Sequence, residues 1–261
     1  MPEFLQIKGR LHHYDFRAGS TDRPIVFANS LGTDLRIWDN VIKNLPRNIP
    51  ILRYDKSGHG LSEGGATTIF EFADDLAGIM DSLAIQNALV CGVSIGGMIA
   101  QVLASSRPDL AAGLLLCNTG YRIGTEQSWS QRISALTEKG LEGIADDILE
   151  CWFSQAFRNN HAKLVAGYKL MLTRTPEEEY ITVCDILRMA DLENIARQIN
   201  CPTLCVAGSE DLATPPSFVQ QLSSVISNGR YFCYQSVGHL PCIEVPDKIA
   251  TNLIQQIRAI S

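Results

Sequence analysis

Residues 92–96 read Gly-Val-Ser-Ile-Gly, a G-x-S-x-G pentad whose central hydroxyl could act as a nucleophile. An apolar run precedes it and a helix-like run follows, the setting such a pentad needs. The chain must turn sharply from strand to helix there. The nucleophile takes strained backbone angles, so its neighbours must be small. Gly92, Gly96 and Gly97 meet that demand. The hydroxyl of Ser94 would project into a cleft at a helix N-terminus, where backbone N–H groups receive developing negative charge. The plain alternative is a glycine-rich packing turn.

A serine hydroxyl is a weak nucleophile alone. It needs a base, and the base needs an orienting carboxylate. Where the nucleophile sits on such an elbow, the chain order is Ser, acid, His. Of the five histidines, only His161 and His239 follow Ser94. His161 lies in a helical stretch and reads as a solvated surface residue. His239 follows the last strand-like run, in Ser236-Val237-Gly238-His239-Leu240-Pro241, and is the expected base. The acid belongs after the preceding strand, in Gly208-Ser209-Glu210-Asp211. Asp211 is preferred because it opens the Leu212–Pro215 loop; Glu210 reads as its solvated neighbour. An oxyanion hole needs a second donor from the loop after the third strand, here Asn29-Ser30-Leu31-Gly32. The expected donors are the N–H groups of Leu31 and Ile95; an ordinary polar turn is the alternative. His59, between two glycines, precedes the elbow and is read as bracing a loop near the cleft.

These residues need a scaffold of alternating strands and helices. Phe4–Ile7 and Leu11–Phe16 suggest an opening hairpin turning at Gly9-Arg10. Strands are expected at Pro24–Ala28, Ile49–Tyr54, Ala88–Val93 and Leu110–Asn118. Helical spacing marks Leu35–Leu45, begun by Asp34, then Thr68–Leu83 and Ile95–Ser105. From about Tyr121 to Gln198 no strand is convincing, whereas Leu141–Phe153, His161–Leu172 and Glu177–Met189 have helical patterns. Alternation resumes with Pro202–Ala207, Ser217–Ile226, Tyr231–Gln235 and Asp247–Ile260. Such alternation implies right-handed crossovers and a mainly parallel sheet. The expected organisation is a discontinuous core, residues 1–120 and 199–261, with a helical cap at 121–198.

The chain has 261 residues, 46% hydrophobic and 19% charged, as in ordinary globular proteins. A net charge of −6 without a basic cluster argues against nucleic acid. No apolar run reaches membrane-spanning length, so no membrane partner is expected. Residues Met1-Pro2-Glu3-Phe4 do not resemble a signal peptide, and the eight cysteines include no C-x-x-C pair. Buried free thiols and a cytoplasmic location are the expectation. No phosphate-binding glycine motif or metal-ligand spacing appears, so no cofactor or metal is expected. Oligomeric state is not legible.

Along its whole length the chain resembles the 3-oxoadipate enol-lactonases, within the capped α/β-hydrolases. The markers are Phe27–Thr33 with Trp38-Asp39, Leu52–Asp55 leading to Gly58–Ser62, and Cys91–Met98. Later come Gly208–Pro216, Gly238–Pro241 and Trp129-Ser130-Gln131-Arg132-Ile133. Lys56-Ser57 replaces the more usual Thr-Arg pair, and Pro241–Glu244 also departs from the family's pattern. The resemblance implies the α/β-hydrolase fold: a mostly parallel eight-stranded sheet, helices on both faces, and an inserted helical cap. It implies hydrolysis of 3-oxoadipate enol-lactone to 3-oxoadipate, a step in the breakdown of aromatic compounds. That substrate carries a free carboxylate, which an arginine grips well. Arg132 is the expected partner, with Trp129 packing on the lactone ring; Arg188 and Lys163 are alternatives. Rival activities are a carboxylesterase, a perhydrolase or a carbon–carbon bond hydrolase. A small-molecule receptor retaining the triad is the rival outside catalysis.

Overall fold

A computed structural model describes residues 2–260; Met1 and Ser261, the outer ends of the two expected core segments, lie outside the described residues. The chain opens with a hairpin, β1 (Glu3–Ile7) and β2 (Arg10–Arg17). Its turn is Lys8-Gly9, one residue earlier than expected. Both residues have positive φ, 48° and 84°. A two-residue hairpin turn of this hand needs that at both positions. Then follow β3 (Ile25–Ala28), α1 (Asp39–Lys43), β4 (Ile51–Tyr54), α2 (Ile69–Ser82), β5 (Ala88–Val93), α3 (Ile95–Ser106) and β6 (Ala111–Cys117). The expected helix at Leu35–Leu45 is shorter and irregular. A 3₁₀ turn at Leu35–Trp38 precedes α1, because Asp34 caps Arg36 N–H and also pairs with the Arg36 guanidinium. In α2 the expected start is secured by a capping box between Thr68 and Glu71.

Five helices follow β6 before the next strand: α4 (Glu126–Trp152), α5 (Gln155–Asn160), α6 (Ala162–Thr173), α7 (Glu177–Met189) and α8 (Glu193–Arg197). Helix α4 is broken at Gly140, which has φ 67° and ψ 169°. The Glu177 carboxylate accepts the freed Leu141 N–H at 2.8 Å and restarts the helix. The chain ends with β7 (Thr203–Gly208), α9 (Pro216–Val225), β8 (Gly229–Tyr234), α10 (Pro241–Glu244) and α11 (Pro246–Ala259).

The eight strands form one sheet, ordered β1-β2-β4-β3-β5-β6-β7-β8. The β1–β2 and β2–β4 pairs are antiparallel; every later pair is parallel. The core strands β3 and β5 are wholly buried, as expected for strands covered on both faces. Helices α2, α3, α8 and α9 pack in succession, and α1, α10 and α11 form a second group. From β3 the chain steps to β4 on one side, then crosses to β5 on the other. That reversal opens a crevice at the carboxyl ends of the strands, where open α/β sheets place their ligands. Among the described residues, no helix is long and apolar enough to cross a membrane, and all eight cysteines are free thiols.

Candidate active site

Ser94 stands between β5 and α3 with φ 58° and ψ −126°, outside the regions an L-residue ordinarily occupies. The elbow is held from below. Ser94 N–H donates to the carbonyls of Cys117 and Asn118 at 3.1 and 3.2 Å, and the Thr119 hydroxyl donates to the Ser94 carbonyl at 2.7 Å. A Cβ on Gly92 would meet the Gly96 carbonyl oxygen at 2.2 Å. One on Gly96 would meet the Ala28 carbonyl oxygen at 2.1 Å. Backbone cannot yield as a side chain can, so only glycine permits this turn.

Asp211 and His239 arrive on the loops after β7 and β8. Ser94, Asp211 and His239 are 6%, 3% and 2% exposed. His239 Nδ1 lies 2.9 Å from Asp211 Oδ2. An ionised carboxylate only accepts, so Nδ1 carries the proton and Nε2 is left to accept one. The carboxylate is fixed further by the N–H groups of Ala213 and Thr214, at 2.8 and 3.0 Å, and by the Thr214 hydroxyl at 2.5 Å. Glu210 is exposed and, among the described residues, its carboxylate receives only the Gln155 N–H, at 3.3 Å. No hydrogen bond joins the Ser94 hydroxyl to His239 among the described residues, but both line one cavity of about 370 Å³. Such bonds often tighten only when substrate arrives.

The His239 loop is tied to its surroundings at several points. His239 N–H donates to the Trp152 carbonyl at 2.9 Å, joining the loop to the end of α4. Glu244 accepts from Gly238 N–H, Ser154 N–H and the Ser154 hydroxyl. Buried Asn118 donates its amide to the Gly238 carbonyl at 2.7 Å and accepts Gly208 N–H at 2.8 Å, bridging three strand ends. Sequence reasoning missed Thr214, Asn118 and Glu244. Thr214 had a local signal, a threonine three residues after Asp211, which favours this kind of turn. Asn118 had none, because its partners are 90 and 120 residues away.

Leu31 lines the same cavity, and Ile95 is the first residue of α3, where N–H groups have no partner within the helix. The loop carrying Leu31 is braced by His59: its Nε2 accepts Gly32 N–H at 3.0 Å, and its Nδ1 faces the Ser57 carbonyl at 3.1 Å. Burial, with Lys56 nearby, holds this imidazole well below the ordinary histidine range, although the Ser57 carbonyl opposes the shift. The neutral ring is required for Nε2 to accept. A depressed folded value adds stability that is complete above about pH 6.5, the unfolded value, and is lost as pH falls below it. Within that window the loss approaches about 1.4 kcal/mol per pH unit. Denaturant unfolding should therefore weaken between pH 7 and 5.5 more steeply in the wild type than in His59→Gln. Parallel slopes would remove His59 as the cause.

Trp129, Arg132, Cys151, Trp152, Tyr180 and Leu187 of the inserted helices complete the cavity wall. Trp129 is fixed by donating its indole N–H to the Ile123 carbonyl at 2.6 Å. Arg132 lies beside the buried Tyr180 hydroxyl and near Cys151 and Cys184. It forms no ion pair among the described residues, so a half-buried cation faces the cavity without a counter-charge. Arg188 pairs with Asp185 at 2.8 Å, and neither it nor the exposed Lys163 lines this cavity. His161 sits outside it too, against Phe157. The Cys151 thiol also lies on the wall. Burial pushes it above the ordinary thiol range, although Arg132 opposes the shift, and this keeps it protonated and unreactive.

Comparison with known proteins gives concordant results. A family model described as serine aminopeptidase, S33 (Hydrolase_4) matches residues 20–246. The 3-oxoadipate enol-lactonase 2 of Acinetobacter baylyi is 31% identical over 218 residues, covering 82% of this chain and 78% of that protein. The crystal structure of the enol-lactonase from Burkholderia xenovorans superposes with a TM-score of 0.93 at 31% identity, covering 98% of this chain and 100% of that one. A hydrolase from Pseudomonas aeruginosa gives 0.90 at 28% identity, with 98% of each chain covered.

Proposed function

Since the chain belongs to the α/β-hydrolase family that the S33 model describes and the 3-oxoadipate enol-lactonases share, and is a carboxylic-ester hydrolase, we propose that it opens a small lactone bearing a free carboxylate. 3-Oxoadipate enol-lactone, which the names of the relatives suggest, is the leading substrate, in aromatic-compound breakdown. One observation carries the substrate class: Arg132, a cation without a counter-charge, shares a cavity with Ser94 and His239.

In this reading residues 121–198 are a helical cap on a core of residues 1–120 and 199–261. The substrate carboxylate pairs with Arg132, and its ring packs beside Trp129. Ser94 Oγ attacks the lactone carbonyl while His239 Nε2 takes the hydroxyl proton. Asp211 stabilises the resulting imidazolium. The N–H groups of Leu31 and Ile95 receive the oxyanion. Collapse of the intermediate breaks the ring C–O bond and expels an enolate, whose charge is delocalised, and His239 returns the proton. Water, activated by His239, then frees the acid from Ser94. The cavity volume suits a small ligand.

The decisive assay compares the enol-lactone with an uncharged aryl ester. The lactone is expected to have the larger kcat/KM by at least about tenfold, as expected of one charge-assisted hydrogen bond. Faster turnover of the aryl ester would replace this reading with a general carboxylesterase.

A further inference from the structure

Lys56 is only 1% exposed, and it lies directly under the loop that carries Leu31. Its Nζ donates to the Ser30 carbonyl at 2.5 Å and reaches the Thr33 carbonyl at 3.3 Å. It forms no ion pair among the described residues; Asp55 and Asp34 act on it only at longer range. Burying an amine on carbonyls alone is costly, and an apolar chain of similar length would fill the space at less cost. The Ser30 carbonyl therefore stands out as what the amine serves. It also accepts the hydroxyl of Thr33, at 2.8 Å, and Thr33 N–H, at 3.3 Å.

The Ser30 carbonyl and the Leu31 N–H are the two ends of one planar peptide unit. Fixing the oxygen fixes the direction in which the N–H points. Hydrogen bonds to the oxygen also polarise the amide and make its N–H a stronger donor. We propose that Lys56 is a positioning residue of the oxyanion hole, holding and polarising the Ser30–Leu31 peptide so that the Leu31 N–H meets the developing charge. This rests on the reading of Ser94 as nucleophile and Leu31 as donor.

Lys56→Met, Lys56→Gln and Ser94→Ala test it together, with steady-state kinetics, inhibition by phenylboronic acid and thermal melting. The boronate becomes tetrahedral on a serine and uses the oxyanion donors, whereas the planar ground-state substrate barely does. Lys56→Met is expected to lower kcat roughly tenfold, below the 10²–10³ typical of losing a donor outright. KM should stay within about twofold, boronate affinity should fall in parallel with kcat, and the melting temperature should hold. Lys56→Gln, which keeps an N–H donor, should recover part of the loss. Wild-type kcat in Lys56→Met, equal losses in both variants, or a fall in kcat without weaker boronate binding would each overturn the proposal. If the Met variant does not fold, Lys56→Gln decides by the same split between kcat, KM and boronate affinity. Activity surviving in Ser94→Ala would overturn the underlying reading instead; an inactive Ser94→Ala beside an unimpaired Lys56→Met overturns only the role of Lys56.

Discussion

Ser94→Ala should lower kcat by roughly 10⁴–10⁶-fold while leaving substrate affinity and the melting temperature close to wild type. In the proposed mechanism every later step depends on the bond that Ser94 Oγ forms. The fold should be indifferent, because the supports of the elbow are backbone hydrogen bonds and the Thr119 hydroxyl, none of which uses Oγ. The positive φ at residue 94 is strained for alanine as for serine, so the substitution neither relieves nor adds much strain. Single-turnover assay beside calorimetry checks both halves. Residual activity near wild type would remove Ser94 as nucleophile.

Arg132→Ala should raise KM for a carboxylate-bearing lactone by about 10- to 100-fold and change KM for a neutral ester by less than about threefold. A charge-assisted hydrogen bond in a partly buried site is worth about 1.5–3 kcal/mol, and each 1.4 kcal/mol is tenfold. No protein carboxylate competes for the guanidinium among the described residues, so the cost of partnering it falls to the substrate. Removing it also opens the cavity wall beside Tyr180, which is why a small loss on neutral esters is also expected. The two KM values, measured on wild type and variant, decide the matter. Equal effects on both substrates would take Arg132 out of carboxylate recognition.

How far the site was legible depended on how local its causes are. The elbow was readable because G-x-S-x-G states a steric demand that two glycines meet against neighbouring backbone. The order Ser, acid, His then singled out Asp211 and His239, which the structure brings to 2.9 Å of each other. Some element boundaries were also readable, as at Ala88–Val93 and Glu177–Met189. The helix start at Leu141 was readable too, but the stretch from Glu126 that joins it across the break at Gly140 was not, because Glu177 stabilises that break from another helix. The same holds for the short helix at Asp39–Lys43, where a side-chain pair between Asp34 and Arg36 overrode an apolar spacing that suits a longer helix.

The sequence by itself determined the kind of scaffold and the groups offered to it: a serine hydroxyl on a strand-to-helix turn, an aspartate and a histidine after it in chain order, and alternating elements that must build a mainly parallel sheet. Those follow from residue type and spacing over a few positions. Only the tertiary structure decided which groups meet. It put Arg132 on the wall of the Ser94 cavity with Tyr180 as neighbour, and it gave His239 a tether to Trp152. It also set a buried lysine beneath the Ser30–Leu31 peptide. Each of these is a contact between residues dozens of positions apart. Whether a cation is paired or free, and whether a polar group is costly or satisfied, depends on what surrounds it in space, and no periodicity along the chain records that.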